Sequence, residues 1–247
     1  VSHVHCIPWK GVVDYNQKKF NRLYDLWNQG HVTDREIFLS GKCESLSYGM
    51  SDAVICVSNA AKDFICQTMQ TEGEEIEVVH NGLSGTEDIV LRADKKPGDT
   101  FNILYAGGMQ KAKGVGFVLK AAMKLKEKGY DVKIHIAGRA SEKDEEIIAS
   151  MCDGLIFELH GMLPYEELVK LYRECDIGLI ASLQEQCSYV AIEMAMFGLP
   201  IVTTAVDGLD EMFTDGENAL KVDTVFSKVL GLRVNTDLFA QQIITLI

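Results

Sequence analysis

Glu185 and Glu193, with seven residues between them, lie in the segment EQCSYVAIEMAMFGLP and offer the most pointed chemistry in the chain. Val190, Ala191, Ile192, Met194, Ala195, Met196 and Phe197 surround Glu193 in a run of helical length. Such a helix has no polar face and is expected to be buried all round. An ionised carboxylate there is costly unless donors meet it. A vicinal diol, such as the two hydroxyls of a ribose, is a good partner, because a carboxylate accepts two hydrogen bonds side by side. A buried Arg or Lys would serve as well. Glu185 falls in the loop before the helix, where spacing alone fits a solvated residue equally. The residues opening the helix, Ser188, Tyr189 and Val190, bring backbone N–H groups and the positive end of the helix dipole, which suit a diphosphate.

A second group follows the apolar run Phe101–Ala106: Gly107, Gly108, Lys111, Lys113 and Gly114. Taken alone, its lysines fit a solvated turn. Gly107-Gly108 also invites a dinucleotide fold and hence an NAD-dependent oxidoreductase. But no Gly-x-Gly-x-x-Gly joins strand to helix, and no acidic residue stands at Ala137-Gly138-Arg139, so that signal is weak. No Gly-Lys-Ser/Thr and no compact Asp-x-Asp occur. The glutamates suggest a glycoside hydrolase pair, but a helix without a water-facing side disfavours Glu193 as a general base.

Elements that alternate at short spacing must position these groups. Strands are expected at Phe101–Ala106, Val132–Ala137, Leu155–Leu159, Ile177–Ala181, Ile201–Thr204 and Ala219–Val222. Helices are expected at Gly116–Lys128, Glu142–Met151, Tyr165–Glu174 (with Pro164 in its first turn) and Ser188–Phe197, the last stopped by Gly198 and Pro200. This alternation predicts an α/β fold with a doubly wound, mostly parallel sheet, whose ligands bind at the carboxyl ends of the strands. Before residue 101 the pattern is less regular. Ser2–Ile7, Ala53–Val57 and Ile76–Val79 read as strands, and Asn16–Trp27, Thr33–Met50 and Asn59–Met69 as helices, with Thr33 as a cap. The polar stretch 83–100, with Pro97-Gly98, reads as a linker. The domains expected are 1–85, a linker at 86–100, and 101–247. The chain opens on an apolar strand and ends in mid-helix, which suggests a piece of a longer protein with an incomplete N-terminal domain.

Composition narrows the classes. The 247 residues carry a net charge of −12, which argues against a nucleic-acid binder. No run approaches the ~20 apolar residues that span a bilayer, and VSHVHCIPWK lacks the pattern of a signal peptide. The seven cysteines are scattered without a Cys-x-x-Cys pair, as in a cytoplasmic protein with reduced, buried thiols.

The glutamate pair, its small-apolar helix and the following Gly198-Leu-Pro-Ile-Val-Thr-Thr204 closely resemble the retaining glycosyltransferases of family 4. The resemblance implies a GT-B fold, two Rossmann-like domains facing a cleft. It implies transfer of a sugar from a UDP- or GDP-linked donor to an acceptor hydroxyl, in cell-surface polysaccharide or glycolipid synthesis, without a metal or a cofactor. The acceptor would be a sugar, a lipid-linked sugar or another hydroxyl compound. By this resemblance Glu193 binds the ribose, Glu185 contacts the donor sugar, and the amides of Ser188, Tyr189 and Val190 hold the diphosphate. Tyr105-Ala-Gly-Gly-Met-Gln-Lys-Ala-Lys-Gly114 is similar to the family's glycine loop, with Gly107, Gly108 and Lys113 at the diphosphate. The family's usual Arg is replaced by Gly108, a departure for which Lys111 is a candidate substitute. His160-Gly161-Met162-Leu163-Pro164 resembles the loop beside the nucleobase, which assigns Gly161 and Met162 to it. Asp207-Gly-Leu-Asp-Glu211 resembles the acidic loop after the fifth strand, and Val79-His-Asn-Gly82 an element before the linker, with His80 in place of Pro. At the front, His5 resembles the strand-end His that faces the donor sugar; His3 is the weaker match, and a structural role suits either. Peripheral membrane contact at the inner face of the membrane is common in the family, and Phe20, Tyr24 and Trp27 offer either such a face or a core stripe. A non-catalytic nucleotide-sugar-binding fragment and a sugar-nucleotide epimerase on the same fold are the alternatives.

Overall fold

A computed structural model of the chain describes residues 1–5, 19, 22–23, 25–26, 29–31, 35–69, 76–84, 99–227 and 231–247. Cys6, Phe20, Tyr24, Trp27, Thr33 and most of the expected linker lie outside them. Among the described residues the strands from 101 onward include β4 (Phe101–Ala106), β5 (Val132–Ala137), β6 (Ile156–Gly161), β7 (Ile177–Ile180), β8 (Ile201–Thr204) and β9 (Leu220–Val222). They form one parallel sheet in the order β6-β5-β4-β7-β8-β9. This is the doubly wound arrangement that the alternating pattern predicts.

Side chains alternate across the sheet because successive strand residues face opposite ways. On β4 and β5, Ile103, Tyr105, Ile134 and Ile136 enter a core completed by the helices α3 (Val115–Glu127) and α8 (Thr236–Leu246). Leu104, Ala137 and Ile180 enter the opposite core with α5 (Tyr165–Glu174), α6 (Tyr189–Met196) and α7 (Asp207–Met212). Helix α4 (Glu142–Met151) starts at a capping box. The Ser141 hydroxyl accepts from the Asp144 N–H, and Asp144 accepts from the Ser141 N–H at 2.9 Å. The Ser141 hydroxyl also donates to Asp144 Oδ2 at 2.6 Å, and that bond, with the one from the Ser141 N–H, holds the Asp144 carboxyl below its usual range. Pro164 stands one residue ahead of α5, at the cap rather than in the first turn. A hairpin, β10 (Thr224–Ser227) with β11 (Gly231–Val234), precedes α8.

A smaller parallel sheet in the order β1-β2-β3 is built from Ser2–Val4, Val54–Cys56 and Ile76–Val78. Helices α1 (Arg35–Gly49) and α2 (Asn59–Met69) precede and follow β2. Val4, Cys56, Phe64, Ile65 and Ile76 form its core. Of the described cysteines, 56, 152, 175 and 187 are buried, whereas Cys43 is exposed on α1, against the expectation of buried thiols throughout. No helix among the described residues is long and apolar enough to cross a membrane.

Candidate functional site

The sheet changes direction at β4 and β7, adjacent strands from which the chain winds outward on both sides. The loops after them diverge and leave a crevice at the carboxyl ends, the usual ligand position in such sheets. Gly107, Lys113, Ser182, Glu185, Ser188 and Val190 line it.

Backbone contacts fix the loop 107–114. The Gly107 N–H donates to the Ala137 carbonyl at 2.8 Å, and the Leu183 N–H to that of Ala112 at 2.7 Å. The buried Tyr105 hydroxyl donates to the Gly108 carbonyl at 2.6 Å. Burial, with the Glu185 carboxylate nearby, pushes that phenol well above its usual range, so it remains a donor. Lys111–Lys113 form a 3-10 turn ending at Gly114 in the left-handed region, with φ 76°. A Cβ on Gly114 would lie 1.9 Å from the Ala181 carbonyl oxygen, so the turn and its contact with the β7 loop both require glycine.

This anchoring brings the Lys113 ammonium to 2.6 Å from a carboxylate oxygen of Glu185. The Glu185 side chain is only 14% exposed. It is therefore not the solvated loop residue that spacing alone allows. Its backbone is held too, with the carbonyl accepting from the Gly208 N–H at 2.8 Å. Two residues far apart in sequence thus meet as one charged pair at the crevice floor.

Helix α6 corrects one expectation. It is not buried all round: Ala191 and Met194 are buried, but Tyr189 is 48% exposed and Ala195 is exposed. The helix has two turns packed on the core by one side, and its first turn opens onto the crevice through Ser188 and Val190. Apolar composition alone cannot distinguish a core face from a ligand-binding one. Ser188 caps the helix, its hydroxyl accepting from the Ala191 N–H. Glu193 is partly exposed, and its carboxylate accepts from the Tyr172 hydroxyl at 2.6 Å. That partner replaces the buried Arg or Lys that composition allows. Burial and the Glu193 carboxylate push the Tyr172 phenol far up, so it donates at all ordinary pH.

The crevice continues along β5 and β6 past Gly108, Gly138, Arg139, Met162, Leu163 and Val190. Met162 is 73% exposed, an apolar side chain presented at a cleft wall. Gly161 ends β6 directly before it. Arg139 is a cation in the same lining as Gly108, and sequence reasoning did not put it forward for binding. Its signal was its place directly after a strand end and a glycine.

The smaller sheet contacts the loops beyond the crevice. The Ser58 hydroxyl donates to the Gln186 amide oxygen at 3.0 Å, and the Asn81 amide to the Cys187 carbonyl at 2.9 Å. The Glu211 carboxylate accepts from the N–H groups of Asn59 and Ala60 and so caps α2. His5 lies exposed at the carboxyl end of β1. Among the described residues its ring contact is with His3, at 6.2 Å between centroids, and not with the Lys113–Glu185 pair.

Outside the crevice, His135, Glu158 and His160 hold their ligand-type atoms within 4.8 Å of one another. Sequence reasoning did not single out this group. Glu158-x-His160 places both side chains on one face of β6, but the register against His135 is visible only in the sheet. Burial, with Lys133 and His160 nearby, lowers the His135 pKa. A hydrogen bond from Lys133 lowers that of Glu158.

Comparison with known proteins follows these features. Residues 100–247 match the family model described as glycosyl transferases group 1. An uncharacterized glycosyltransferase of Methanocaldococcus jannaschii is 29% identical over 191 residues, covering 72% of this chain and 49% of the relative. The chain thus spans about half the length of that relative. Sucrose-phosphate synthase from Thermosynechococcus elongatus superposes with a TM-score of 0.69 at 18% identity, covering 88% of this chain and 55% of that one. Anabaena HepE, solved with UDP and glucose, gives 0.63 at 16% identity, covering 90% and 57%. The architecture is therefore that of GT-B glycosyltransferases, and with a family model matched over more than half its residues, the chain belongs to the group 1 glycosyl transferases.

Proposed function

We propose that the crevice binds a nucleoside diphosphate sugar and serves transfer of its sugar to an acceptor hydroxyl, with retention at the anomeric carbon and without a metal. The observation that carries this reading is that the Ser188-capped end of α6 and the Lys113–Glu185 pair meet in the lining of the switch-point crevice, with Glu193 about one turn beyond Val190 on the same helix. Glu193 accepts two hydroxyls of the ribose. Tyr172 holds the carboxylate in place for them. The first-turn amides of α6 take the diphosphate, helped by the helix dipole. Lys113 turns from Glu185 toward the leaving diphosphate as the anomeric bond breaks, and stabilises the charge that develops there. Glu185 is then released to the hydroxyls of the donor sugar. Met162 and Gly161 flank the base, and Arg139 supplies a cation beside Gly108. His5 faces the sugar only if the β1 end closes toward Lys113. HepE, solved with UDP and glucose, lends support to a UDP-linked donor. The acceptor is a sugar, a lipid-linked sugar or another hydroxyl compound in polysaccharide or glycolipid synthesis.

Gly108 favours a second reading, a unit that binds the donor without transferring it, because the family's usual cation is missing there. Donor turnover separates the two. A transferase releases nucleoside diphosphate from UDP- or GDP-sugars slowly to water and faster to a hydroxyl acceptor, keeps the α configuration of an α-linked donor, and is unaffected by EDTA. Donor binding with no release in any acceptor mixture contradicts the enzymatic reading.

A further inference from the structure

Strand β6 is the edge of the large sheet, and on one of its faces Glu158 and His160 stand beside His135 of β5. His135 Nδ1 and His160 Nε2 are 3.0 Å apart, and the rings lie nearly parallel, 11° between planes. His135 Nδ1 is 3.8 Å from Glu158 Oε2. Two nitrogens bound to one tetrahedral zinc ion, each at about 2.0–2.1 Å, lie roughly 3.3 Å apart. A shift of a few tenths of an ångström brings the two imidazoles to that spacing, and a rotation of the exposed Glu158 side chain brings its carboxylate in as the third ligand.

The arrangement around His135 favours that use. Its Nε2–H donates to the Asn102 amide oxygen at 3.2 Å. That bond sets the tautomer and leaves the Nδ1 lone pair directed at the cluster. A metal-bound imidazole is normally oriented in this way, by a carbonyl or carboxylate on its other nitrogen. Asn102 is itself tied to β7, its N–H donating to Asp176 Oδ2 and its carbonyl accepting from the Asp176 N–H, both at 2.8 Å. His135 is buried and His160 half-buried, while Glu158 is exposed, so one side of the cluster is rigid and the other open to an entering ion. Lys133 opposes binding through its 2.6 Å pair with Glu158. Both side chains of that pair are substantially exposed, however, and an exposed ion pair is readily exchanged.

We propose that His135, Glu158 and His160 form a binding site for a divalent transition metal of the zinc class, separate from the transfer crevice. Two imidazoles and a carboxylate suit zinc, cobalt or nickel better than magnesium or calcium, which prefer all-oxygen sites. Three protein ligands leave a fourth position for water. The ion clips the edge strand β6 to β5 at the root of the Gly161–Pro164 loop. This role is structural and does not depend on the transfer reaction.

The test is titration of the whole chain with Co²⁺, followed by its visible absorption, then displacement by Zn²⁺. One equivalent is expected to give a tetrahedral-type band without thiolate charge transfer, and saturating Zn²⁺ to raise Tm. Glu158→Gln, a change at an exposed position, and His160→Ala are each expected to remove the band, with circular dichroism showing intact folding. Asn102→Ala is expected to weaken binding about 10–100-fold. A band that survives His160→Ala and Glu158→Gln, a band with thiolate character, or no band at millimolar Co²⁺ would each overturn the proposal.

Discussion

Gly108 stands where the family resemblance places an arginine, and nothing in the backbone demands glycine there. It is not among the residues with positive φ, and an added Cβ would meet only the flexible Gln110 side chain. An arginine there should therefore fold normally. If the crevice holds a diphosphate, Gly108→Arg gains a charge-assisted hydrogen bond of about 1.5 kcal/mol, or roughly tenfold in affinity for UDP or GDP. Calorimetry checks this, with melting temperature as the folding control. Lys113 and Glu185 show how far single residues can be read. The family resemblance marked them, whereas their pairing and the burial of Glu185 appear only where the loop 107–114 packs on the β7 loop. Glu44 makes a separate prediction. Burial raises its carboxyl from 4.5 to about 7, and one oxygen is buried without a hydrogen-bond partner among the described residues. A raised carboxyl contributes its stability below the unfolded value, near 4.5, and loses it as pH rises through about 7. Glu44→Gln should accordingly raise the melting temperature at pH ~8 and change it little at pH ~4. An equal shift at both would contradict the assignment.

Among the elements, α6 has most influence on the site, because its first turn is both a structural cap and a crevice wall. Ser188→Ala removes the hydroxyl that accepts from the Ala191 N–H. It should cost about 1 kcal/mol of stability. It should also weaken nucleoside diphosphate binding, since the amides of the first turn lose their fixed geometry. Thermal melting and calorimetry on one variant read both effects, and lost stability with unchanged affinity would move the diphosphate away from this helix end. Most elements after residue 100 were legible in sequence. Phe101–Ala106, Val132–Ala137, Glu142–Met151, Tyr165–Glu174 and Ile201–Thr204 form at the expected bounds, because strand runs and amphipathic helices alternate with clear glycine and proline stops. The third strand begins one residue late and runs to Gly161, because its pairing with β5 extends past the apolar run to Ala137 and Gly161. The burial of α6 was misread for a physical reason: an apolar side chain facing a ligand cleft and one facing a core look alike in sequence. The His135–Glu158–His160 group was not singled out because strand register, not spacing along the chain, brings its members together.

At the scale of the whole molecule, the contacts between the two sheets among the described residues include Ser58 on Gln186 and Asn81 on Cys187, in the loop that follows Glu185, and α2 on Glu211 of α7. The loop carrying Glu185 is therefore held from both sides, by Lys113 and by the smaller sheet. In a strongly acidic chain, with net charge −12, the crevice lining holds a lysine, paired with Glu185, beside the N-terminus of α6. The ribose contact proposed for Glu193 is the point at which this reading is tested most directly. Calorimetric titration of the chain with UDP, GDP and NAD, repeated on Glu193→Ala, is the decisive measurement. The account predicts binding of a nucleoside diphosphate, no binding of NAD, and affinity for the diphosphate lost in Glu193→Ala while the fold persists. Binding of NAD with no response to either diphosphate, or unchanged diphosphate affinity in Glu193→Ala, would contradict it.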